Sequence, residues 1–263
     1  DINSSSAYQG LFGYVGAGGV VKNLTVSGTV IGGNNTGAIV GKNEGSIQCC
    51  GNTAAVSGSG TNTQCVGGIA GYSSGVIEKC FNVGTIVSGK RVGGIAGQAE
   101  GGQITTCYNT ASIKYKATSG TAAGGIAGYA NKSVEVKSCY NTGSVSAFAS
   151  ESTVQVGAFI GYAASGLTIE NNYYLETAYS TAVGYNGGSY TVASITGASD
   201  LWNGNESKLG SGFVAGADGY PVFPGSPGKH LNLPSQYSSS STNSDTLWYR
   251  TAGGETKMIP FSI

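Results

Sequence analysis

The stretch Val66 to Ile86, VGGIAGYSSGVIEKCFNVGTI, is the unit that the rest of the chain copies. It recurs as VGGIAGQAEGGQITTCYNTASI (Val92 to Ile113) and AGGIAGYANKSVEVKSCYNTGSV (Ala123 to Val145), and in altered form as TGAIVGKNEGSIQCCGNTAAV (Thr36 to Val56). Two outer copies, Gly10 to Val30 and Val156 to Ala178, keep the Gly-rich opening but carry Leu24 and Asn172 where the inner copies have Cys. The last Gly of each opening marks the phase at Gly13, Gly41, Gly71, Gly97, Gly128 and Gly161, so the steps are 28, 30, 26, 31 and 33 residues.

A repeat of this length, built from short apolar runs broken by Gly, Asn and Ser, cannot bury its own apolar face and needs a stacked neighbour. Helices are excluded as its units, because each Gly costs about 1 kcal/mol relative to Ala in a helix and every copy carries several Gly and Asn. The β-branched runs of four to six residues, such as Gln155 to Ile160, read as strands. The expected fold is all-β: a parallel β-solenoid, a right-handed β-helix of six coils of about 30 residues, closed by a C-terminal cap.

In such a stack equivalent residues lie about 4.8 Å apart and form ladders. Val21, Ile47, Ile77, Ile104, Val136 and Ile169 make one apolar column, and three places later come Cys50, Cys80, Cys107 and Cys139. Asn52, Asn82, Asn109 and Asn141 follow two places on, and Val30, Val56, Ile86, Ile113 and Val145 close each copy. Stacked Asn amides are expected to bond from rung to rung, with Gly supplying positive φ at the bends. One coil then comprises three strands: at the VGGIAG opening, around the Ile and Cys, and at the closing Val. The Cys column reads as packed, reduced thiols, because parallel stacking sets Cβ atoms farther apart than a disulfide allows. A bond between Cys49 and Cys65, which lie outside the column, has no spacing rule behind it.

Composition bounds the function. Gly makes up 46 of 263 residues with no Gly-X-Y period, which excludes collagen. Lys plus Arg and Asp plus Glu number 13 each, a balance that argues against nucleic acid as a partner. No apolar run approaches roughly 18 residues, so no membrane span is expected, and the start DINSSSAYQG lacks a signal-peptide pattern. That predicts a soluble piece cut from a larger protein.

The segments Gly67 to Ile86, Gly93 to Ile113 and Gly124 to Val145 resemble the GLUG motif, a short Gly-rich repeat of bacterial surface proteins that include the stalks of some immunoglobulin A peptidases. The likeness spans about Gly10 to Ala178, and DGYPVF (Asp218 to Phe223) looks like the piece that closes such arrays. The resemblance implies a β-solenoid module of a secreted or surface-anchored bacterial protein, with no catalytic residues. The expected organisation is a repeat array over 1–178, a cap over 179–224 carrying Trp202, Phe213, Tyr220 and Phe223 to cover the last rung, and a linker with a terminal hairpin over 225–263.

Catalytic signatures are missing from the sequence. The column after the Ile reads Gln48, Glu78, Thr105, Lys137 and Glu170, which puts its nearest carboxylates three rungs or about 14 Å apart, too far for a glycosidase pair. No HExxH or GxSxG occurs, His230 stands alone in a Pro-rich segment, and GGIAG lacks the Lys of a phosphate loop. The chain therefore reads as no enzyme, with neither cofactor nor metal; the rival is a polysaccharide-processing β-helix enzyme. What remains is tyrosine, 16 of them. Tyr14, Tyr72, Tyr129 and Tyr162 share a column with Lys42 and Gln98, which argues for exposure. Phe81, Tyr108, Tyr140 and Tyr173 form a second column pointing away from the Cys. Tyr rows amid Ser and Asn suit stacking on a glycan or contact with a host or cell-surface protein, so a structural or adhesive module is the expected role.

Overall fold

Each of the four inner copies of the repeat folds into five short parallel strands, two more than the sequence suggests. In the computed structural model, which describes residues 1–60, 63–87, 89–115, 120–147 and 154–224 and the backbone of 246–250 and 256–260, the third coil contains Cys65–Gly67, Ala70–Ser73, Val76–Glu78, Phe81–Asn82 and Ile86–Val87. Their equivalents pair coil to coil into five parallel sheets, here called the opening, tyrosine, isoleucine, asparagine and closing sheets. Register is one-to-one throughout: Val66 opposes Val92, Ile77 opposes Ile104, Asn82 opposes Asn109. The described residues contain no α-helix, only a 3-10 turn at Ala198–Leu201.

The corners explain the extra strands, and they give Gly a second role beside the expected one. The opening breaks between Gly67 and Ala70, where a Cβ on Gly67 would stand 2.0 Å from the Ala70 carbonyl oxygen. A Cβ on Gly71 would meet the Asn35 backbone at 2.4 Å. These glycines are needed for close approach of backbone to backbone. Positive φ is supplied by Gly at some bends, as at Gly18, Gly28, Gly101 and Gly166, but ahead of the Cys position it is carried by a column of side-chain-bearing residues: Asn23, Cys49, Lys79, Thr106, Ser138 and Asn171, with φ between 51° and 58°. Such a conformation costs of order 1–3 kcal/mol per residue outside Gly and persists only where its surroundings over-determine it. Here the left-handed turn aims each N–H along the stack: Cys49 donates to the Glu78 carbonyl at 3.0 Å, Lys79 to Thr105 at 3.1 Å and Thr106 to Lys137 at 2.9 Å.

Inward columns fill the space between the sheets. Ile39, Ile69, Ile95, Ile126 and Phe159 sit at the first corner, followed by the Ile and Cys columns and the closing Val and Ile, all in one buried cluster. Each sulfur of Cys50, Cys80, Cys107 and Cys139 lies 3.2 Å from the carbonyl two residues before it. Burial pushes the Cys80 and Cys107 thiols well above the ordinary range. At the last rung Asn172 takes the Cys position, its side chain accepting from Cys139 N–H at 2.9 Å and donating to the Val136 carbonyl at 2.7 Å. Cys49 is exposed at its corner, whereas Cys65 is buried in the opening sheet.

The asparagine column is a directed chain of amides. Asn52 donates to Asn82 at 2.7 Å, Asn82 to Asn109 at 2.6 Å and Asn109 to Asn141 at 2.7 Å. Asn141 faces Tyr174 in the next rung and turns its amide to the Ala158 carbonyl at 2.7 Å. All four side chains are fully buried, so each inter-rung bond also satisfies a group that water cannot reach.

The chain beyond Ala178 departs from the expected cap. Two more strands, Val183–Asn186 and Ala193–Ile195, extend the tyrosine and asparagine sheets by one partial coil. Tyr174, Tyr179, Val183, Tyr190 and Val192 close that end of the core, with the Tyr190 hydroxyl accepting from Leu167 N–H at 2.7 Å. Trp202, Phe213, Tyr220 and Phe223 do not cover the last rung. They fold back along the outer face of the asparagine sheet and bury the second aromatic column. Phe81, Tyr108 and Tyr140 stack at 5.5 and 5.2 Å, with Phe223 at 5.4 Å from Tyr108 and Tyr220 at 6.3 Å from Tyr140. The Tyr140 hydroxyl donates to the Pro221 carbonyl at 2.5 Å, and the Trp202 indole to Gly219 at 2.7 Å. That column is thus an internal seam, unavailable to a ligand. The terminal strands Thr246–Arg250 and Thr256–Pro260 pair antiparallel, while His230 and the residues from Ala252 to Glu255, around which the sequence places a hairpin, lie outside the described residues.

These contacts set three expectations. A thiol reagent at pH 8 should label Cys49 quickly and the buried column only in denaturant, where at least four thiols must appear; two or fewer would show the column to be oxidised. Replacing Asn82 with Ala removes two amide bonds and strands its neighbours, for a loss of about 2–4 kcal/mol in chemical denaturation. Tyr140→Phe deletes the hydroxyl bond to Pro221, and limited proteolysis within 198–223 should quicken several-fold while the coils stay intact.

Candidate functional site

The outer face of the tyrosine sheet holds the longest unbroken row of functional side chains. Strand register aligns Tyr14, Lys42, Tyr72, Gln98, Tyr129, Tyr162 and Tyr185, one per coil. Asn43, Ser73, Ala99, Ala130 and Ala163 are buried, and alternation turns the residue just before each of them to the outer face. Tyr185 follows a retained phase glycine, Gly184, but was missed by the sequence reading because the rest of the Gly-rich opening and the Cys are gone from its coil.

The row divides into a charged half and an aromatic half. Lys42 lies between two rings, 5.3 Å from the Tyr14 centroid and 5.9 Å from Tyr72, and pairs with Glu44 at 2.7 Å. The Tyr14 hydroxyl donates to the same carboxylate at 2.6 Å. Glu44 thereby raises the Tyr14 phenol above its usual range, and Lys42 with Tyr14 holds Glu44 below the ordinary carboxylate range. Arg91 stacks on Tyr129 at 4.5 Å and bonds to Gln98, whose amide donates to Glu100 at 2.5 Å. Lys132 lowers Glu100 further through their ion pair. Gln98 is buried by this cluster, contrary to the exposure its position in the column suggested. Beneath it the Cys65 sulfur sits 3.2 Å from the Gln98 oxygen, and burial pushes that thiol up to about 11.

In the aromatic half the rings stack on one another. Tyr129 and Tyr162 are 4.5 Å apart and 6° from parallel, and Tyr162 and Tyr185 are 4.5 Å apart and 8° from parallel. The faces of Tyr129 and Tyr162 are therefore taken up, by Arg91 and by each other, and stacking of a sugar on those faces is sterically excluded. What the row offers outward is ring edges and phenol hydroxyls, repeated once per coil. Tyr185, at the end of the stack, is half exposed.

Two carboxylates, Glu135 and Glu170, meet at one lysine. Glu78, Thr105, Lys137 and Glu170 align in the isoleucine sheet, and Lys137 bridges Glu135 at 3.5 Å and Glu170 at 3.4 Å. Among the described residues no three of His, Cys, Asp and Glu are grouped to hold a metal ion, and no helix is long and apolar enough to cross a membrane.

No curated protein matches the chain by sequence. A crystal structure described as a "putative immunoglobulin A1 protease" from Bacteroides ovatus is 24% identical, with 78% of this chain and 75% of that chain covered at a TM-score of 0.49. Residues 88–114, the coil that supplies Arg91, Gln98, Cys107 and Asn109, match the family model of the GLUG motif, so this β-solenoid carries a GLUG repeat at its centre.

Proposed function

We propose that this chain is a non-catalytic structural and adhesive module of a secreted or surface-anchored bacterial protein, and that it holds an extended partner, a glycan chain or a strand of a host or cell-surface protein, along the outer face of its tyrosine sheet. The observation that carries the reading is the continuous row from Tyr14 to Tyr185, seven residues in strict register with charged partners at one end and stacked phenols at the other. A compact metabolite would use one or two of these positions, whereas a linear ligand can meet tyrosine at five of the seven rungs. Phenol hydroxyls and the Arg91 and Lys132 cations suit hydroxyl- or carboxylate-bearing sugars approached edge-on. The GLUG repeat within residues 88–114 supports a surface role, because the likeness noted from sequence is to bacterial surface proteins.

Each such contact contributes on the order of 1 kcal/mol, so one module binds weakly and strength comes from repetition. Glycan-array binding followed by calorimetry on the Tyr72→Ala, Tyr129→Ala double variant tests this, with folding checked by circular dichroism. Roughly tenfold weaker binding is expected, equivalent to about 1.4 kcal/mol. Unchanged affinity would place the site elsewhere, and release of shortened or unsaturated sugars would replace this reading with the polysaccharide-processing enzyme.

A further inference from the structure

The cations along the tyrosine row are not equivalent. Lys42 pairs with Glu44 at 2.7 Å and Lys132 pairs with Glu100, so each of them already has a carboxylate. Arg91 has none: among the described residues no carboxylate lies within ion-pair distance of it. Its hydrogen bond goes to the neutral side-chain oxygen of Gln98, and the Cys65 thiol lies beside the same guanidinium. A guanidinium carries five N–H donors, so most of them are left over among the described residues.

The fold holds this cation in place. Arg91 opens the strand Arg91–Gly93, where its partners in register are the small residues Cys65 and Ala122, and its side chain lies over the Tyr129 ring of the next coil, 4.5 Å from the centroid. Gln98 fixes it from the other side. That residue is buried and its amide donates to Glu100 at 2.5 Å, which turns its oxygen to Arg91. A carboxylate at position 98 would neutralise the arginine, whereas the carboxamide orients it and leaves its charge. A cation fixed between a buried amide and an aromatic face, with donors to spare, matches a carboxylate, which a guanidinium binds through two parallel N–H bonds.

We propose that Arg91 anchors the carboxylate of an acidic glycan, so that the partner of the tyrosine face is a linear polysaccharide bearing uronic acids. This rests on the reading of that face as the surface for an extended partner, and adds the chemical class. Two features favour a glycan over an acidic polypeptide strand. The rungs repeat at about 4.8 Å, whereas same-face residues of a strand recur at about 6.6 Å, out of step with them. A bound strand also draws its affinity from main-chain hydrogen bonds at a sheet edge, and the outer face of a sheet whose strands are already paired coil to coil offers none. The hydroxyls of a sugar chain can use the phenol groups of the row instead.

Calorimetry on the full chain with polygalacturonate, alginate and hyaluronan, each beside its carboxyl-reduced neutral form, tests the proposal. At least one acidic polymer should bind about tenfold more tightly than its reduced form, the scale of one charge-assisted pair. That advantage should vanish in Arg91→Gln and shrink about threefold in Arg91→Lys, which keeps the charge and loses the fork. It should also fall as salt is raised. The reduced polymers need no variant, so the comparison stands even where Arg91→Gln lowers stability. Equal binding of acidic and reduced polymers that is lost in the Tyr72→Ala, Tyr129→Ala variant would overturn this inference and leave the tyrosine face as a neutral-glycan site. An acid preference unmoved by both arginine variants would overturn it as well. Tighter binding of polyglutamate or of dextran sulfate than of every uronate would pass the site to an acidic peptide or a sulfate ester, against the proposal. No binding of any polymer would remove the glycan reading of the face together with this inference.

Discussion

Everything in this molecule depends on one constraint, the in-register stacking of coils at the spacing of a parallel ladder. Once Val66 must lie over Thr36 and under Val92, every other residue of the coil is committed to meet its equivalent above and below. Such self-contact is favourable only for a few side chains. Isoleucine and valine pack on themselves, free thiols accept close neighbours and still find a carbonyl, and carboxamides donate and accept in the same direction. Those are the residues found in the inward columns. Charged residues on the outer faces cannot stack on themselves, and there the rungs alternate: Lys42 between Tyr14 and Tyr72, Lys137 beside Glu170.

The same constraint explains how residues with side chains come to occupy left-handed corners. A single such residue in a loop would relax. Six of them in register, the first five with the N–H tied to the next coil, cannot relax without breaking an axial bond, so the strain is shared by the array. Glycine is then free for the places where two backbones come too close for any Cβ, as at Gly67 and Gly71.

What was legible in the sequence was whatever recurs with the period. The Ile, Cys and Asn columns appear as repeated letters because each contact is between copies of the same position. The tyrosine row was legible for the same reason as far as Tyr162, and it disappeared at Tyr185, where the repeat loses its landmarks although the strand continues. Contacts between unlike segments left no such trace. Nothing in the spacing of Phe81, Tyr108 and Tyr140 announces that Tyr220 and Phe223, far along the chain, lie over them. Nor does a tyrosine column reveal whether its rings face solvent or one another, a matter settled by the 4.5 Å spacing of parallel rings. The split of each coil into five strands was hidden because steric exclusion of a Cβ is a property of neighbouring coils, which a single Gly codon does not display.

The directed amide chain from Asn52 to Asn141 has a mechanical meaning. Every link donates the same way, so any interior coil presents one free donor to its successor and one free acceptor to its predecessor. Whole coils are interchangeable parts, and length can change by insertion or deletion without leaving a mismatched dipole. Under tension applied to its ends, such a body would not extend like a spring. It would surrender one coil at a time, each release freeing about 30 residues of slack and presenting to the load a fresh rung identical to the one just lost.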